Sequence, residues 1–172
     1  APRHTAGMLT MRVIRLVLHA QTRQPVLVLG EAEGKRCLPV FLRQPQADVI
    51  AVGPRGEQDP LLPQDVLIPI LRGLGHTLDG AEITGLTDGV FSAELVLDGD
   101  KRIPVLPSDA LAVAVRERLP IAVADTILDE VGQPVEDLFP DGTHAPPEQQ
   151  LEEFRSFLDE VSPDDFSAPP DR

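Results

Sequence analysis

The segment Pro107–Ala124, PSDALAVAVRERLPIAVA, constrains this chain more than any other. Its middle, Ala110–Val115, is apolar all round, so a helix here has to be buried on most of its circumference. Ser108 is placed to cap that helix, Asp109 sits where the dipole favours a negative charge, and Arg116 and Arg118 fall in its last turn. Pro120–Ala124 follows as a short buried strand. A buried helix leading into a buried strand demands a sizeable core, and a chain of 172 residues is long enough to build one without disulfide staples.

The remaining apolar runs are short and bounded by turns. Met11–His19 and Pro25–Gly30 read as strands, Glu31–Gly34 as a turn, and Lys35–Leu42 as the return strand of a hairpin. Pro39 inside that strand predicts an edge position or a bulge, because proline donates nothing to a ladder. A short helix is expected over Gln46–Val52, a loop over Gly53–Pro63, and a helix over Asp65–Leu74 in which Pro69 sits in the first turn or kinks it. His76–Leu86 and Val90–Leu97 read as strands joined across Thr87-Asp88-Gly89, and Asp98-Gly99 turns the chain into Lys101–Leu106. Thr126–Val131 is expected as a helical turn ending at Gly132. The fold class that follows is α+β: a curved, mainly antiparallel sheet with hairpins and helices packed on one side.

Charge divides the chain further. The net of −13 is uneven: residues 1–120 carry 13 basic and 14 acidic side chains, whereas residues 121–172 carry 2 and 14. The expected organisation is a disordered lead-in at 1–10, a domain at 11–132, a proline-rich linker at 133–147, and an acidic amphipathic helix and tail at 148–172. In that helix Leu151, Phe154, Phe157, Leu158 and Val161 share one stripe, which suits docking on the chain's own core or on a protein partner. Six Phe with no Trp or Tyr argue against a base-stacking platform, and the single Cys37 excludes an internal disulfide and a cysteine-clustered zinc site. No run reaches the length of a membrane span, and Ala1–Thr10 lacks the apolar core of a signal peptide, so a cytoplasmic protein is expected.

Few residues suggest chemistry. His4, His19, His76 and His144 lie in a lead-in, a strand, a turn and a linker, none at a metal-ligand spacing from a partner, and Cys37 reads as an inert buried thiol. The glycines form neither a P-loop nor a dinucleotide fingerprint. Asp65 and Asp109 each stand at the start of a helix beside a proline-containing turn. Each reads as a helix cap, or the two meet at one cleft and hold Mg²⁺ or Mn²⁺ against a phosphodiester. Lys35-Arg36, Lys101-Arg102 and Arg116/Arg118 are basic pairs that a fold could bring together, and each also suits an exposed strand end or helix end.

The stretches PVLVLGEAEGKRCLPVFL, QADVIA, DVLIPILRGLGH, LTDGVFSAELVL and PSDALAVAVRERLPIAV, in this order over roughly Met11–Gly132, resemble the bifunctional nuclease domain family, whose members act on DNA and RNA. The polar positions depart from the family pattern. Its Ile-Gly-x-x-Glu-Ala corresponds to Leu42-Arg43-Gln44-Pro45-Gln46-Ala47 here. Its Arg-Pro-x-Thr-His-Asp corresponds to Pro60–Asp65, with Gln64 for the histidine, and its Asp-x-Arg-Pro-Ser-Asp-Ala to Pro104–Ala110, with Pro104 for an aspartate and Leu106 for an arginine.

The resemblance implies phosphodiester hydrolysis, DNA or RNA as partners and a homo-oligomer. The departures imply weak or absent catalysis and a binding or regulatory scaffold. The opposing expectation is an active metal-dependent nuclease in which Asp65 and Asp109, with Ser108 beside them, position Mg²⁺ or Mn²⁺.

Overall fold

A computed structural model of the chain describes residues 7–57 and 61–135. Two three-stranded meanders form where apolar runs alternate with turn residues. The first comprises β1 (Met8–Leu18), β2 (Pro25–Glu31) and β3 (Arg36–Phe41), paired antiparallel in that order. The second comprises β4 (Leu78–Thr87), β5 (Val90–Leu97) and β6 (Lys101–Val105). Thr87 pairs with Val90, and the two residues between them, Asp88 and Gly89, have φ of 51° and 77°, as a two-residue hairpin matched to strand twist requires.

Helix α1 (Gln44–Val52) leaves the first meander, with Pro45 in its first turn. A 3₁₀ turn (Pro63–Val66) leads into α2 (Leu67–Gly73), whose Pro69 lies in the first turn, where no intrahelical N–H is lost. Helix α3 (Pro107–Arg116) leaves the second meander and is followed by β7 (Ile121–Ala124), α4 (Asp125–Val131) and the two-residue β8 (Gln133–Pro134). The eight strands form one sheet in the order β6-β5-β4-β7-β1-β2-β3-β8. Every pairing is antiparallel except β4 with β7, where Ala81, Glu82 and Ile83 lie opposite Ile121, Ala122 and Val123. The mixed α+β class expected from the sequence is the one observed.

Helices α1 and α3 pack on each other and on the sheet. Leu27, Leu29, Leu38, Ile83, Leu111 and Val123 are all within one per cent of complete burial, and Ile127 and Leu128 of α4 join the same core. Arg43 before α1 contacts Ser108 and Asp109 at the start of α3, and Gly53 after α1 contacts Arg116 at the end of α3. The two helices therefore run side by side in the same direction.

Several expectations are corrected. The α3 cap is Leu106, not Ser108: Pro107 with its fixed φ takes the first helical position, which puts Ser108 second and Asp109 third. Arg118 lies beyond the helix with φ of 54°. Strand β1 begins at Met8, within the expected lead-in, because Met8–Thr10 pair with β7. Gln133 and Pro134, expected in the linker, pair with Cys37 and Arg36. β8 reaches no further than Cys37, so among the described residues no strand pairs with that edge of β3 at Pro39. Most of the lead-in, the rest of the linker and the acidic helix and tail lie outside the described residues.

Candidate functional site

At the start of the α1–α3 pair, four polar side chains converge. The Arg43 guanidinium donates from Nη2 to Asp109 Oδ1 at 2.6 Å and from Nε to Ser108 Oγ at 3.2 Å. Gln46 Nε2 donates to the same Asp109 oxygen at 2.7 Å. Helix geometry builds this cluster. Arg43 is the residue before α1, Gln46 lies in its first turn, and Ser108 and Asp109 hold the second and third positions of α3. The group faces solvent: the Arg43 side chain is 52% exposed and that of Asp109 40%. Gln46 Oε1 is buried without a partner.

Asp65 lies at the other end of the helix pair. Arg116 clamps it with two parallel hydrogen bonds, Nε to Oδ1 at 3.0 Å and Nη2 to Oδ2 at 2.9 Å, and its Nη1 donates to the Gly53 carbonyl at 3.3 Å. The Leu62 N–H donates to Asp65 Oδ2 at 2.7 Å, which closes the start of the 3₁₀ turn. Both side chains are almost fully buried, with 2% and 3% exposed for Arg116 and Asp65. The Arg116 guanidinium and the Leu62 N–H hold the Asp65 carboxyl below the usual carboxylate range, although burial alone pushes the other way.

The structure thus brings Ser108 and Asp109 together and leaves Asp65 apart from them. Residues 109 and 116 are separated by about 10 Å of helix at ~1.5 Å rise per residue, and Asp65 engages the far end. A divalent cation needs several anionic or carbonyl oxygens within ~2.0–2.6 Å. The Asp109 carboxylate instead receives a guanidinium and an amide N–H on one oxygen, and these donors repel a cation from that oxygen. Among the described residues no three His, Cys, Asp or Glu side chains converge as a metal-binding group. The residues present do not fit a resident Mg²⁺ or Mn²⁺.

Other candidates have local partners. His76 Nδ1 lies 2.7 Å from Asp98 Oδ2, and the Thr77 N–H donates to Asp98 Oδ1 at 2.8 Å. That backbone donor first, then His76 and Lys101, lower the Asp98 pKa to about 2. His19 contacts Thr22 and the Phe41 ring, and buried Cys37 donates to the Gln133 carbonyl. Of the basic pairs, Arg36 joins Glu31 and Asp129, and Arg102 joins Glu82 and Glu94. Leu106 is 54% exposed.

Sequence reasoning missed the role of Arg116, read as part of a basic pair that a fold could gather or that suits an exposed helix end, when it is among the most buried side chains. The signal was its place in a helix that is apolar all round. It missed Arg43 as the partner of Asp109 for a different reason, since a contact across 66 residues leaves no local trace.

The bifunctional nuclease domain model matches residues 27–136, more than half of the chain. Two curated relatives from Mycobacterium tuberculosis each align over 160 residues at 37% identity, covering 92% of this chain and 98% of the relative. They are the uncharacterized protein MT1877 of strain CDC 1551 / Oshkosh and the uncharacterized protein Rv1829 of strain ATCC 25618 / H37Rv. The matched span contains α1, α3 and every residue of the two carboxylate sites, and the chain belongs to the bifunctional nuclease domain family.

Proposed function

We propose that this protein is a binding or regulatory member of its family that does not hydrolyse phosphodiesters. One observation carries the reading: Arg43 and Gln46 donate to a single oxygen of Asp109. A glutamate at 46 would set a second negative charge against Asp109, which a proton, a bound cation or a guanidinium would have to offset. In this sequence the amide of Gln46 and the guanidinium of Arg43 take that place, so charge balance is internal. The two departures from the family pattern therefore compensate each other.

In this reading DNA or RNA is a ligand rather than a substrate, and the protein works in the cytoplasm as a homo-oligomer. Val66, Ile70 and Leu74, spaced four residues apart and each more than half exposed, supply an apolar stripe for such an assembly. No helix among the described residues is long and apolar enough to cross a membrane.

The test compares the parent with Asp109→Ala on single- and double-stranded DNA and RNA, with Mg²⁺ or Mn²⁺, alongside a gel-shift titration. Equal background cleavage by both proteins is the expected result. Cleavage by the parent that disappears in Asp109→Ala establishes the opposing reading, an active metal-dependent nuclease.

A further inference from the structure

A groove of about 390 Å³ opens between β1 and the final turns of α1 and α3. Its floor is apolar, with Ile50, Val115 and Leu119 among the lining residues, and Arg12, Arg15 and Arg118 are its only charged residues. An apolar floor with a purely cationic rim selects an occupant that is apolar on one face and anionic on the other.

Arg118 stands at the edge of this groove. It follows the last turn of α3 in the left-handed conformation, with φ of 54°. Its N–H donates to the Val115 carbonyl at 3.3 Å, and the Leu119 N–H donates to the Ala114 carbonyl at 2.8 Å. This is the C-terminal motif in which glycine is favoured, because a Cβ is disfavoured at that φ. An arginine there is held against local preference at the groove's edge, where its Nη1 donates to the Arg55 carbonyl at 3.3 Å.

The chain itself contains an occupant of the required chemistry. Residues 148–161, EQQLEEFRSFLDEV, carry five acidic side chains and one basic one beside the stripe of Leu151, Phe154, Phe157, Leu158 and Val161. The tether is long enough. The Val135 N–H is bonded to the Lys35 carbonyl at 3.0 Å, on the β8 side of β3, which is three strand spacings, or about 14 Å, from β1. The twelve residues from 136 to 147 span up to ~40 Å when extended. A segment so tethered meets the groove at an effective concentration in the millimolar range.

We propose that this groove is the docking site of the chain's own segment 148–161, seated in cis with Leu151, Phe154 and Leu158 on the floor and its carboxylates facing Arg12 and Arg118. The inference does not depend on whether the domain cleaves nucleic acid.

Hydrogen–deuterium exchange on the full-length protein tests it, with thermal melts showing that each variant remains folded. Amides of 148–161 in the parent are expected to exchange at least ~10-fold more slowly than an unstructured chain, independent of protein concentration. Arg12→Glu/Arg118→Glu in the groove, and Phe154→Asp in the segment, should each bring them to unstructured rates. If the arginine double variant melts early, Arg12→Gln/Arg118→Gln replaces it, with the same loss expected. Unstructured exchange in the parent overturns the proposal, as does protection that survives the groove substitutions. Protection that fades on dilution also overturns it, and assigns the groove to a second copy of the chain.

Discussion

Asp65 and Asp109 occupy similar places in the sequence, each beside a proline at the start of a helix, and opposite places in the energetics. Asp65 is sealed beneath the final turns of α1 and α3, with both carboxylate oxygens bonded to Arg116. Asp109 stands 40% exposed at the other end of the same helices, held by Arg43 and Gln46. The difference teaches that a carboxylate retained from a family pattern is not thereby a catalytic one. Asp65 locks α3 to the 3₁₀ turn ahead of α2. Asp109 remains open to ligand but is neutralised by its neighbours.

The comparison breaks most visibly when each carboxylate is removed. Asp65→Ala strands a buried guanidinium and should cost about 3–5 kcal/mol, read as a lowered urea midpoint. Replacing both partners, Asp65→Leu with Arg116→Met, should recover most of that loss, because no buried charge is then left unpaired. If Asp65→Ala costs under ~1 kcal/mol, the pair is no lock.

At the same end of the helix pair, Arg118→Gly should raise stability by about 1 kcal/mol through relief of a left-handed arginine. At the opposite end, Asp109→Ala should shift the urea midpoint by less than ~1 kcal/mol, the range of solvent-facing ion pairs.

A third carboxylate sharpens the contrast through pH. The folded state lowers Asp98 from 3.8 to about 2, so the folded protein binds fewer protons than the unfolded chain between those values. The stabilisation is complete above about pH 4 and is lost as pH falls toward 2. Asp65, also lowered, acts in the same direction. Asp98→Asn should flatten the acid limb of a plot of melting temperature against pH; an unchanged slope removes Asp98 from the account.

Local chemistry made much of this fold legible. Thr87-Asp88-Gly89 and Asp98-Gly99 announced the second meander, and Ala110–Val115 announced a buried helix. The Asp65 cap was half legible: its bond to the Leu62 N–H is local, whereas its partner Arg116 is 51 positions away. Arg43 and Gln46 stood out as departures from a family pattern, but only the packing of α1 on α3 shows that they answer the charge of Asp109. The parallel pairing of β4 with β7 had no local signature, because strands that meet without a turn leave none in the sequence.

That pairing bears on how the molecule assembles. Strand β7 is four residues long and lies at the centre of the sheet, between β1 and β4. Each meander can form from near neighbours in sequence, but until β7 arrives β1 and β4 each present an unpaired edge. Closing the sheet brings Met8 opposite Ala124, one of the most distant contacts in the described chain. Assembly is therefore expected to pause with two half-sheets formed and their inner edges open, and a chain still emerging from the ribosome has to pass through that stage.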